Sequence, residues 1–168
     1  MVRNDFAQDE IYMLQALELA RQAAQMGEVP VGAVVVRDGK VIGAAGNRRE
    51  CDHRATAHAE LLAIEQACER IGSWRLSDCT LYVTLEPCPM CAGAIVNARV
   101  GRVVFGCKDA RAGAMGSVLN LPSYPLNHRP QCECGVCEME CRTVLQEFFA
   151  ARRRKNENLR CSDRTKGT

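Results

Sequence analysis

The chain's 168 residues, 47% hydrophobic and 25% charged, suffice for one domain with a real core. They argue against a disordered chain, and no apolar run approaches the roughly 20 residues of a membrane span. The net charge of +2 hides an asymmetry. From residue 151 on, Arg152, Arg153, Arg154, Lys155, Arg160, Arg164 and Lys166 face only Glu157 and Asp163, so this end carries +5 and residues 1–150 carry −3. A basic tail on a mildly acidic body fits an anionic partner such as RNA, and equally a plain solvated terminus.

In chain order, DEIYMLQALELARQAAQMG has apolar residues at helical spacing and stops at Gly27, which predicts a helix. VPVGAVVVRDGKVIGAAGN is two strand-like runs joined at Asp38-Gly39, a hairpin signal. AHAELLAIEQACERIG reads as a second helix closed by Gly72. CTLYVTLE follows as a buried-type strand, MCAGAIVNAR as a short helix and GRVVFGC as another strand. KDARAGAMGSVLNLPSYPLNHRP is loop-rich. VCEMECRTVLQEFFAARRRK is a closing helix that runs to about residue 157. This alternation predicts a three-layer α/β/α sandwich around a mixed five-stranded sheet. It forms one domain over residues 1–150, with 158–168 a basic, flexible tail.

Eleven cysteines are many for such a chain. The count is odd, and MVRNDFAQDEIYM carries acids where a secretion signal has its apolar core. The chain therefore reads as cytoplasmic, with reduced thiols rather than a disulfide framework. Cys88 and Cys91, in PCPMC, have the spacing of a redox pair, a structural zinc corner or a catalytic one. Only three histidines are available as a further ligand: His53, His58 and His128. His58 opens the second helix as His-Ala-Glu, and the two cysteines lie at the turn into the third. Helix starts that follow strands can converge at one sheet edge, where dipoles favour thiolate over thiol. One histidine and two thiolates make three ligands, which leaves a corner for water. Glu60, two residues from His58, is placed to move that water's proton.

His-x-Glu followed by Pro-Cys-x-x-Cys is the signature of the zinc nucleobase deaminases. Further blocks extend the likeness: EVPVGAVVV, TAHAELLAI, TLYVTLEPCPMCAGAI, RVGRVVFGCKDARAGAMGS, LNHR and EFFAARRR. In this order they resemble the bacterial tRNA-specific adenosine deaminases, the TadA family, over roughly residues 5–155. The resemblance implies a cytidine deaminase-like fold and one Zn²⁺ per subunit, held by His58, Cys88 and Cys91. It implies a homodimer acting on a tRNA anticodon stem-loop, chiefly of an arginine tRNA, and turning the wobble adenosine into inosine. Glu60 would be the proton shuttle. Asn47 and the backbone at Ala59 would hold the flipped base. Asp109, Asn127, Phe149 and Arg153 would touch the loop. Asp109 also reads as a turn residue, and Phe148 and Phe149 as core.

The sequence departs from that family in two places. HRATAHAE puts Arg54 and Ala55 where an acid or amide and a proline are usual, beside His53. CECGVCEMEC adds thiols, so Cys132, Cys134, Cys137 and Cys141 read as buried small residues or as a second metal site. Two rival functions remain: a deaminase of a free base such as guanine or cytosine, and a zinc-stabilised RNA-binding subunit without chemistry.

Overall fold

The computed structural model describes the backbone of residues 3–164 and the side chains of residues 6–158. The element order is α1 (Arg3–Gln25), β1 (Gly32–Arg37), β2 (Lys40–Gly46), α2 (Ala59–Ile71), β3 (Thr80–Leu85), α3 (Pro89–Asn97), β4 (Arg102–Cys107), a 3-10 turn (Leu121–Ser123), β5 (Gln131–Cys134) and α4 (Glu138–Arg164). The strands form one sheet in the order β2-β1-β3-β4-β5. β1 runs antiparallel to β2 and β3, while β3, β4 and β5 are parallel. Arg37 pairs with Lys40 across Asp38 and Gly39, both at positive φ (49° and 71°), as a two-residue hairpin requires.

Side chains alternate across the sheet. Val34, Val36, Tyr82 and Val104 point to one face, where Tyr12, Met13, Ala16 and Leu17 of α1 and Cys141 of α4 cover them. Ala33, Val35, Leu81, Val83, Val103 and Phe105 point to the other, under Ala59, Ala63 and Ala67 of α2 and Ile95 of α3. The result is the expected three-layer sandwich around a mixed five-stranded sheet. Two strand glycines let the helices close in. A Cβ on Gly32 would sit 1.9 Å from the Ala16 carbonyl oxygen, and one on Gly43 2.1 Å from that of Ala63.

Two expectations are corrected. α4 does not stop near 157 but runs to Arg164; KNENLRCSDR contains no glycine or proline to break it. The expected flexible tail therefore begins inside this helix, and residues 165–168 lie outside the described residues. Cys132 and Cys134 share the face of their partners Val103 and Phe105, and Cys132 Sγ lies 3.8 Å from Met115 Sδ, but both are exposed rather than buried because β5 is the sheet's edge. Cys141 is in the core. Every described cysteine is a free thiol.

The topology gathers the functional ends of several elements. Leu85 and Cys107, where β3 and β4 end, pair with each other. Gly46, where β2 ends, pairs with Gly32, whose N–H donates to Thr84 Oγ1 at 3.2 Å. The starts of α2 and α3 follow at this same edge. The opposite edge holds Thr80, Arg102 and Gln131.

Candidate active site and metal centre

His58 is the N-cap of α2 and Cys88 the N-cap of α3, both with extended backbone (ψ 148° and 170°). Neither side chain caps its own helix, so both are free to point at each other. Pro89 fixes the first turn of α3, and one turn of helix brings Cys91 alongside Cys88. His58 Nδ1 lies 3.7 Å from Cys88 Sγ and 3.6 Å from Cys91 Sγ. All three donor atoms lie within 4.8 Å of one another. A tetrahedral zinc with Zn–S of about 2.3 Å and Zn–N of about 2.0–2.1 Å has N···S edges near 3.6 Å and S···S edges near 3.8 Å. The donor set therefore fits that ion. It is the only such cluster of histidine, cysteine or carboxylate groups among the described residues, so Cys132, Cys134, Cys137 and Cys141 do not form a second one.

The three groups act on one another's protons. The hydrogen bond from Cys91, followed by that with His58, brings the Cys88 thiol down to about 4. Cys91 is pushed above the usual thiol range by its bond to Cys88 and by burial, and Cys88 also raises His58. Glu60, in the first turn of α2, is 4% exposed. Burial pushes its carboxyl up to about 7, against the opposing pull of its own backbone amide and of His58.

A cavity of about 170 Å³ opens over this cluster, lined by Val29, Val31, Asn47, Ala59, Glu60 and Asp109 among others. Its size admits one planar ring system. Asn47 is nearly buried and held rigid: its Nδ2 donates to the Val29 carbonyl at 3.2 Å and its Oδ1 accepts the Arg49 N–H at 3.3 Å. Ala59, whose N–H at the start of α2 has no partner within the helix, lines the same space.

A wider depression of about 510 Å³ adjoins the cavity and shares Val29, Leu85 and Asp109 with it. Lys108, Arg111, Arg142 and Arg153 line it, with Arg142 paired to Glu138. Phe149 lies there too, 41% exposed, while Phe148 is half-buried behind it. Asp109 belongs to both spaces and is a turn residue as well: its Oδ1 accepts the Arg111 and Ala112 N–H groups at 2.8 and 3.2 Å.

Nine of the ten site candidates are thus brought to one edge of the sheet. Asn127 is not. The neighbouring His128 Nε2 lies 2.7 Å from the Val100 carbonyl, which pins this loop at the opposite edge. His53, Arg54 and Ala55 are exposed on the loop before His58 and line neither space. Arg49 lines the cavity and was missed. So was Glu86, buried at 2% exposure. Its Oε2 accepts the Asp109 N–H at 3.0 Å and the Ser117 hydroxyl, and its Oε1 accepts the Met115 and Ser117 N–H groups, each at 3.0 Å. A carboxylate directly after a buried strand and before a proline was the available signal.

A family model described as MafB19-like deaminase matches residues 7–153. The chain is 49% identical over 154 residues to a tRNA-specific adenosine deaminase of Bacillus subtilis (strain 168), covering 91% of this chain and 96% of that protein. A solved structure from work on A-to-I editing by tRNA:A34 deaminases at the wobble position of transfer RNA matches with TM-score 0.78 at 45% identity, over 80% of this chain and 98% of that one. A guanine deaminase from Nitrosomonas europaea matches with TM-score 0.71 at 27% identity, over 84% of each chain.

Proposed function

The chain belongs to the bacterial tRNA-specific adenosine deaminases of the cytidine deaminase superfamily, and on that footing we propose that the centre at His58, Glu60, Cys88 and Cys91 hydrolyses the wobble adenosine of a tRNA anticodon, chiefly an arginine tRNA, to inosine and ammonia. The observation that carries this reading is a buried carboxylate beside a His-Cys-Cys cluster, at the floor of a base-sized cavity that opens on a cationic depression. His58, Cys88 and Cys91 would hold zinc, which when bound supplies a Lewis acid that makes water a better nucleophile near neutral pH. Asn47 and the Ala59 amide orient the base edge. Val29, Val31 and Leu85 give the cavity apolar walls and keep bulk water out. Glu60 takes a proton from the attacking water and returns it to the ring nitrogen. A second proton, from the new hydroxyl on carbon 6, then passes to the amino group, which leaves as ammonia, so adenosine plus water balances inosine plus ammonia.

The base must leave its stack to enter, and an anticodon loop is already single-stranded. Phe149 offers a face for a neighbouring base, and Arg153 a phosphate contact. A homodimer fits the exposed apolar residues Met90 on α3 and Val118, Leu119, Tyr124 and Leu126 on the loop beside it. No helix among the described residues is long and apolar enough to cross a membrane, which agrees with a cytoplasmic setting. The guanine deaminase relative shares the fold at lower identity, so fold alone does not choose the substrate. Ammonia release chooses it: an anticodon stem-loop should be turned over, while free guanine, cytosine and adenine should not. Turnover of a free base with indifference to RNA would reverse the assignment.

A further inference from the structure

The sheet edge opposite the metal centre carries its own cationic surface. Trp74, in the loop between α2 and β3, is 52% exposed. Its ring holds two guanidiniums: Arg75 Cζ lies 4.4 Å and Arg99 Cζ 5.9 Å from the ring centroid. Such contacts fix the long side chains and leave their charge outward. Neither arginine has a carboxylate partner among the described residues, because the acids at this edge are engaged elsewhere. Arg37 pairs with Asp78 at 2.7 Å, and Arg102 with Asp9 at 2.7 Å and Glu133 at 2.8 Å.

The backbone adds a second observation. Arg99 follows the end of α3 with φ +59°, a conformation that glycine adopts more cheaply. One of its nitrogens closes the helix by donating to the Val96 carbonyl at 2.9 Å. A backbone outlier kept at a charged, ring-stacked residue points to a use for that charge. All this lies in a body, residues 1–150, that is net negative at −3.

We infer that Trp74, Arg75 and Arg99 form a second RNA contact, in which the two guanidiniums bridge to phosphates of the duplex stem behind the edited loop. The inference rests on the tRNA reading above. β3 spans about 17 Å from Thr80 to Leu85 at ~3.3 Å per residue. The surface therefore lies too far from the cavity to meet the edited base, and it meets the paired arm that continues from the loop. Planar guanidinium forks match phosphate geometry, which favours RNA over an apolar partner.

The test is direct binding of labelled tRNA over a salt series, with zinc-loaded wild type and the double variant Arg75→Ala/Arg99→Gly. Glycine suits the φ at position 99, so the variant should keep its melting temperature. Kd at about 0.1 M salt should rise roughly tenfold, and the slope of log Kd against log salt should fall by about 1.4–1.8, the equivalent of two phosphates. The kcat on saturating tRNA should not change. An unchanged Kd and slope would overturn the inference and point to a protein partner for this surface, and a loss of affinity that tracked a lowered melting temperature would overturn it as a folding effect. Wild type that binds tRNA without deaminating it would instead refute the proposed activity, and the two binding curves would still decide this inference.

Discussion

Replacing Glu86 by Gln should loosen the loop that carries Asp109 without touching the metal cluster. The carboxylate accepts four donors, two on each oxygen: Asp109 N–H and Ser117 hydroxyl on Oε2, Met115 and Ser117 N–H on Oε1. A carboxamide keeps one acceptor oxygen. Met115 is the buried one of the three backbone donors, so the oxygen stays at the Oε1 position and the new amino group takes that of Oε2. The Ser117 hydroxyl can turn and accept. The Asp109 N–H cannot, and it is left facing another donor. A hydrogen bond to a charged group contributes about 1.5–3 kcal/mol, and a half-buried amide recovers part of that from water, which leaves about 1–2 kcal/mol. For a chain of this size that lowers the melting temperature by roughly 2–8 °C. Because Asp109 lines both the cavity and the cationic depression, the same energy read in kcat/KM is about a 5- to 30-fold loss, carried mainly by KM. Thermal melts and steady-state kinetics on a stem-loop substrate measure both. If Glu86→Gln matched wild type in melting temperature and KM, the anchoring role would be wrong.

Three further outcomes follow from the geometry. Cys91→Ser should drop bound zinc from one per chain toward none and abolish turnover, and metal analysis of the purified variant checks this. Gly43→Ala should cost about 1–3 kcal/mol, seen as a lower melting temperature, because its Cβ would meet the Ala63 carbonyl oxygen at 2.1 Å; an unshifted melt would mean that α2 can move away freely. Burial alone would raise the Asp9 carboxyl, but hydrogen bonds from Arg102 and Tyr82 outweigh it and hold it below the usual range. Its contribution to stability is therefore fully present above the unfolded value of about 3.9 and is lost as pH falls through the lower folded one. Asp9→Asn should be less stable at neutral pH and should show a flatter acid limb in melts taken from pH 7 to pH 3.

The fold was legible where period and burial agreed. Runs such as AVVV and LYV are apolar throughout because both sheet faces are covered. The metal cluster was legible because each half is local: His58 with Glu60 at one helix start, Cys88 with Cys91 at another. What escaped depends on long-range placement. The donors to Glu86 sit 23 to 31 residues further on, so its place between a buried strand and a proline marks the residue but not what it holds. Asn127 was expected with the loop contacts, but the parallel β4–β5 pairing carries the chain back to the opposite edge before β5 can start. The cysteines of β5 were read as core because an edge strand and a central one look alike in four residues.

The most direct test of the deaminase assignment incubates the zinc-loaded protein with unmodified arginine tRNA bearing a wobble adenosine and reads inosine by sequencing, with Glu60→Ala in parallel and zinc measured in both. The expected result is inosine at the wobble position with wild type and essentially none with Glu60→Ala, whose zinc remains at one per chain. Zinc-loaded wild type that leaves the adenosine intact, or a Glu60→Ala variant that still edits, would contradict it.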